Sequence, residues 1–254
     1  MMTKSTKFLK IEFLENDPTV KIVSLNRPEV KNAFHPEMIA EITTFFVNEN
    51  AETNTSLIVL KGEGSVFCAG ADLNWMKNMT QYSFDENVQD SEKLWEMFEA
   101  VYQSVTPVVA IAQGAVFGGA IGLLACCDYV FVEEKTKFCF SEVKLGLAPA
   151  VISGFISRKI QDAFFRPYML SAEIFSAEDS KRMGLVQRIY SSQIELAEVV
   201  KKFSSNGTTA MKETKKLLGT LKTKTVTESK MHCTRLISEL RMSTEAQVRM
   251  KKFL

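Results

Sequence analysis

The chain has 254 residues, 46% of them hydrophobic and 24% charged, which is enough apolar material for one large core and excludes a disordered chain. Lys and Arg number 31 against 30 Asp and Glu, so a formal charge of +1 draws the protein neither to nucleic acid nor to an acidic membrane surface. Five cysteines without a CxxC spacing, and only His35 and His232 beside them, fit free thiols in a reducing compartment and argue against a zinc site.

In chain order, the N-terminus MMTKSTKFLKIEF is basic but has no apolar h-region, which predicts a cytoplasmic location. Residues 7–25 read as two strands joined at Asn16, Asp17 and Pro18, because KFLKIEFLE partly alternates and VKIVSL is rich in β-branched residues. Pro36 opens a helix whose apolar positions, Met38, Ile39, Ile42, Phe45 and Phe46, share one face. LIVL at 57–60 is a short buried strand, the loop KGEGSVFCAGADL follows, and 86–103 make a charged amphipathic helix.

The stretch VVAIAQGAVFGGAIGLLACCD, 108–128, carries no charge before its last residue. It is long enough for a membrane span, and Gly114, Gly118 and Gly122 stand four apart as in helix-pairing faces. Gln113 within it, the lack of close Lys or Arg, and the change from a β-branched run to glycines favour a buried strand at 107–112, a glycine turn and a helix from about Gly118. A helix start among apolar groups leaves free N–H groups, which suit an oxygen that gains negative charge during a reaction. Together with LIVL this hints at a repeated strand, loop and helix.

Strands at 129–132 and 137–140, and a helix bracketed by Ser176 and Gly184, continue the core. From 191 the pattern is helical; Leu236, Ile237 and Leu240 form a narrow stripe in the highly charged segment 225–252. The expected organisation is a core over 1–190 and a helical region over 191–254.

FCAGADL (67–73), QGAVFGGAIG (113–122) and FSEVKLGLAP (140–149) carry the candidate chemistry. Each alone has an ordinary account: Gly70 as a turn, Gly118 and Gly119 as close packing, Glu142 as a solvated carboxylate in a helix's first turn. In this order, and preceded by LNRPEVKNAF (25–34), the segments resemble the enoyl-CoA hydratase/isomerase, or crotonase, superfamily over nearly the whole chain. The resemblance implies an α/β fold, a crotonase-like core of repeated ββα units in a superhelix with a C-terminal helical layer, assembled as a homotrimer or a dimer of trimers. It implies an acyl-CoA thioester as substrate, with no metal and no cofactor other than the coenzyme A of the substrate. The thioester oxygen would lie between the backbone N–H groups of Ala71 and Gly119. The CoA would bend over the first loop near Ala69, Asp72, Leu73 and Asn74. Lys31 would meet a phosphate, although a solvated lysine fits that position equally.

The sequence departs from the family at one position. Hydratases of this family use two glutamates; Glu142 matches one, but Gly122 stands at the place of the other, and no carboxylate occurs between Gly119 and Asp128. Glu142 alone would then take a proton from water and return it to carbon, its pKa raised by an apolar surround of Phe140, Val143, Leu145 and Leu147. Moving a double bond needs the same single acid/base, so an isomerase stands beside the hydratase, with a non-catalytic acyl-CoA-binding protein as a third reading. A finer likeness, in GAVFGGAIGLLACCD and FCFSEVKLGLAPAVIS, to bacterial methylglutaconyl-CoA hydratases of leucine breakdown implies a branched, acidic acyl group, with Lys77 as a candidate cation. Trp75, Met76 and Met79 suit core and acyl pocket alike, Cys126 and Cys127 read as packing, and His35 as a turn or cap residue.

Overall fold

The computed structural model describes residues 3–51, 54–191 and 193–252. The chain runs β1 (Thr3–Ser5), β2 (Leu9–Leu14), β3 (Asp17–Leu25), α1 (Pro36–Ala51), β4 (Leu57–Gly62), α2 (Leu73–Met79) and α3 (Phe84–Tyr102). Next come β5 (Val108–Ala112), β6 (Ala115–Phe117), α4 (Gly119–Cys126), β7 (Tyr129–Glu133), β8 (Lys137–Cys139), α5 (Ala150–Ile156) and α6 (Asp162–Ser171). It ends with β9 (Phe175–Ser176), α7 (Ala177–Met183), β10 (Arg188–Tyr190), α8 (Gln193–Ser204), α9 (Thr208–Leu221), α10 (Val226–Met242) and α11 (Thr244–Met250).

The main sheet has the order β1-β2-β3-β4-β5-β7-β10, antiparallel up to β3 and parallel from there on. Side chains alternate along each strand, so the sheet has two buried faces. Ile58, Leu60, Val108 and Ala110 join the large core beneath α1, α3, α4 and α5, whereas Leu57, Val59 and Val109 face Val200 and Phe203 of α8. The fold is the expected α/β arrangement, and each βα step carries the chain to the C-terminal ends of β4 and β5, where both glycine loops lie.

The helix starting at Pro36 and the strand LIVL form where the patterns place them, whereas the hairpin turns at Glu15 and Asn16, with Asp17 and Pro18, expected in the joint, already in β3. Ser176 and Asp179 close a capping box on α7, and Gly184 ends it in the left-handed region. The uncharged stretch divides into β5, β6 and α4, and among the described residues no helix is long and apolar enough to cross a membrane. Where a glycine turn was expected, Ala115–Phe117 is a strand, because it pairs in parallel with β8 in a small second sheet, β6-β8-β9. The charged segment 225–252 is not one helix: Ser243 accepts from the Ala246 N–H and caps a new one, α11.

Candidate active site

The first loop, between β4 and α2, is held by side chains from neighbouring turns. Asn32, fully buried with a left-handed φ of 53°, donates to the carbonyls of Glu63 and Val66, and its Oδ1 accepts from the Arg27 N–H. Gln113, at the end of β5, donates to the carbonyls of Gly62 and Gly64, while its own carbonyl accepts from Phe67. Beyond Phe67 the first loop lies directly against the second. Cys68 bridges Val116 in parallel, with Cys68 N–H to Ala115 O at 3.3 Å and Phe117 N–H to Cys68 O at 3.2 Å. Gly70, at φ 98°, lets the backbone pass so close that a Cβ there would lie 3.2 Å from Phe117 O.

Phe34 joins the two loop ends. Its N–H donates to Gly70 O at 2.7 Å and its carbonyl accepts from Asp72 N–H at 2.9 Å, which leaves the Ala71 amide between them unused. Its ring stands 3.2 Å from where a Cβ on Gly119 would be. Gly119 opens α4 behind Gly118, which at φ 51° supplies no side-chain cap. Among the described residues, neither the Ala71 N–H nor the Gly119 N–H donates to any protein acceptor. The two predicted donors are therefore open and lie beside one phenylalanine.

Glu142 stands on a single turn of 3-10 helix, Glu142–Leu145, ended by Gly146 in the left-handed region. Its Oε1 lies 3.2 Å from the Cβ position of Gly118, and its Oε2 is buried with no hydrogen-bond partner. Burial pushes its carboxyl above the ordinary glutamate range. The direction is the expected one, but the surround is not: Phe140 is buried, whereas Leu145 and Leu147 are 55% and 57% exposed.

Asp72 is put to a use the sequence did not reveal. Its carboxylate accepts from Asn74 N–H and Trp75 N–H, capping α2, and pairs with Arg27 at 2.9 Å in a buried contact. Burial pushes the carboxyl up, but Arg27 and the two amides outweigh it and hold it below its usual range. Ala69 is half-buried, its N–H bound to the Lys31 carbonyl, so Lys31 is tied to the first loop with its side chain exposed. Leu73 and Asn74 are exposed on the same rim. Trp75 is buried, donating to Asp90, and Met76 and Met79 are half-buried. Lys77 is exposed in the last turn of α2. Gly122 is buried within α4 beneath Ile152 and Phe98. His35 accepts from Glu37 N–H at the start of α1, in keeping with a cap.

A groove of about 470 Å³ runs between α3 and α5, lined by Phe84, Val88, Ser91, Glu92, Trp95 and Val151 among others. None of the predicted site residues lines it; Phe98, one turn beyond Trp95 on α3, is buried and lies against both Gly119 and Gly122. A larger cavity, about 1080 Å³, lies against α8 on the other face of the sheet; none of the predicted site residues lines it. Burial pushes the Cys68 and Cys127 thiols up to about 12, which suits packing and not nucleophilic work. Among the described residues no group of three or more His, Cys, Asp or Glu is placed to hold a metal ion. Sequence reasoning missed Asn32, Phe34, Arg27 and Gln113 as loop supports, although all four lie in or beside the quoted segments.

The profile of the family described as enoyl-CoA hydratase/isomerase matches residues 15–253. A Thermus thermophilus protein named for enoyl-CoA hydratase is 31% identical over 202 residues, 78% of this chain and 80% of its own. Crotonyl-CoA hydratase of Syntrophomonas wolfei is 28% identical over 194 residues, 74% of this chain and 72% of that one. Among solved structures, an enoyl-CoA hydratase from Shewanella pealeana is similar with a TM-score of 0.89 and 31% identity, over 97% of this chain and 92% of that one.

Proposed function

The chain belongs to the enoyl-CoA hydratase/isomerase family, and from that premise we propose that it adds water across the 2,3 double bond of an enoyl-CoA thioester with Glu142 as its single acid/base. One juxtaposition carries this reading: two open backbone donors, Ala71 and Gly119, at the ends of two joined loops, and next to the second Glu142, whose Oε1 approaches Gly118 and whose Oε2 is buried without a partner.

In this reading the thioester oxygen accepts from Ala71 and Gly119, and the helix dipole of α4 adds positive potential. Loss of one such donor typically costs about 3–4 kcal/mol in the transition state. Glu142 takes a proton from water as the water oxygen bonds to C3. The π electron pair passes to the thioester oxygen as an enolate, and Glu142 returns the proton to C2. One water is consumed and no redox partner is needed. The raised proton affinity of Glu142 suits a group that must both accept and give a proton. We assign the CoA to the rim of the first loop, at Lys31, Ala69, Leu73 and Asn74, with Asp72 holding that rim from beneath. The free thiols Cys68, Cys126, Cys127 and Cys139 suit a reducing cytoplasm.

For the acyl group, an acidic branched chain such as 3-methylglutaconyl needs a cation at its far end. The groove between α3 and α5 has Glu92 on its wall and neither Lys nor Arg, and Lys77 is not among its lining residues. An uncharged acyl tail fits that groove better. The single carboxylate also supports a second reading, an isomerase that removes a proton from C2 of a 3-enoyl thioester and returns it at C4.

The deciding experiment follows crotonyl-CoA hydration and 3-hexenoyl-CoA isomerisation with wild-type protein and with Glu142→Gln. Hydration by the wild type and a roughly 10²- to 10⁴-fold lower kcat in the variant are expected. Unchanged turnover in Glu142→Gln overturns the role of Glu142. Isomerisation without hydration selects the second reading, and binding with no turnover of either selects a binding protein.

A further inference from the structure

The place where a second carboxylate is absent is not empty space. A Cβ built on Gly122 would lie 2.5 Å from Ile152 Cγ2, 2.9 Å from Ile152 Cβ and 3.3 Å from Phe98 Cζ. The obstruction includes the Cβ of a β-branched residue, one bond from the α5 backbone, so a rotamer change cannot clear it. The helix α5 is also anchored on α3, so moving it away from Gly122 would disturb that packing. Phe155 packs against Trp95, Phe98 and Tyr102 with ring centroids 4.7, 5.6 and 6.0 Å apart, and a Cβ on Gly154 would lie 2.7 Å from the Trp95 ring.

Position 122 is four residues after Gly118 and three after Gly119, so a side chain there shares a helix face with the residues beside Glu142 and the open donor. We propose that Ile152 is a specificity-determining residue: seated on Gly122, it seals the second acid position and holds the active site to one carboxylate. The inference rests on the hydratase reading for its chemical meaning, but the seal itself is a property of packing. Its consequence is that Gly122→Glu cannot by itself restore the two-glutamate arrangement. The new stem meets Ile152 before its carboxylate reaches the acyl carbons. Removing the obstruction with Ile152→Ala opens the space the stem needs.

The test uses the full chain as wild type, Gly122→Glu, Ile152→Ala and the double variant, with the pH profile of kcat/KM for crotonyl-CoA hydration as the readout. Gly122→Glu is expected to lose at least about tenfold in activity, and the double variant to recover at least about tenfold over it, with a second ionisation in its profile. A Gly122→Glu protein that alone shows the second ionisation and matches the double variant overturns the proposal. A thermal-melting cycle decides the seal independently of turnover and of whether the glutamate variants fold. Gly122→Ala is expected to lower Tm by roughly 5 °C in the wild-type background and to have little effect in the Ile152→Ala background. Equal losses in both backgrounds overturn the seal. A wild type that hydrates nothing defeats the hydratase reading and leaves the melting cycle to decide Ile152.

Discussion

Glu142 and Asp72, both partly or wholly buried carboxylates, respond to pH in opposite senses. Burial raises the Glu142 pKa in the folded chain, so between its unfolded value and its folded value the native state binds the extra proton. Stability therefore falls as pH rises through that window, and the ionised carboxylate weakens the fold at neutral pH. Glu142→Gln should melt above the wild type at pH 7–8, and the two curves should converge near pH 4, below the ordinary glutamate value of about 4.3. Calorimetry across that range checks it. Asp72 has a depressed pKa, so its contribution is present above the unfolded value and disappears as pH falls through the folded one. Asp72→Asn keeps a capping side chain but strands Arg27, and should cost about 3 kcal/mol in urea unfolding at pH 7. Glu142 and Gly119 were legible as candidates because their motifs are local, and the structure brings them to neighbouring turns, with Glu142 against Gly118. The sequence could not place the Asp72 carboxylate, whose ion-pair partner Arg27 belongs to a different turn, nor foresee that Leu145 and Leu147 would turn outward.

At the scale of elements, periodicity made α1, β4 and β5 legible because each has one uninterrupted pattern against the core. β6 was hidden because three residues between glycines have no period of their own; only the pairing with β8 makes them a strand. The relation of α3 to α5 was equally hidden, since it depends on Gly154 admitting the Trp95 ring. That relation shapes the groove, and the groove carries a prediction about substrate. With Glu92 on its wall and no cation, kcat/KM for 2-hexenoyl-CoA should exceed that for 3-methylglutaconyl-CoA by at least about tenfold, since a charged tail finds no partner there. Side-by-side initial rates decide it, and a preference for the acidic substrate removes the groove from the acyl path.

For the whole molecule, the α/β class and the helices beyond residue 191 follow the sequence pattern, whereas the assembly is implied by the resemblance alone. Helices α10 and α11 have no fully buried residue in the isolated chain, and Val226, Met231 and Met242 are 91%, 80% and 81% exposed. A homotrimer or dimer of trimers would give such side chains neighbours. Light scattering at micromolar concentration should return three or six times the chain mass of 28.6 kDa, and a monomer would sink the expectation. The bridge between Cys68 and Val116 has a consequence of another kind. It joins the two loops main chain to main chain, and the groups proposed to hold the reacting oxygen are themselves backbone amides, encoded by no particular side chain. Alanine scanning passes over them, and ordinary substitutions at 71 or 119, proline excepted, leave the peptide N–H in place. Replacing either amide by an ester, an exchange of one atom in the backbone, is the edit that reaches the centre of the chemistry.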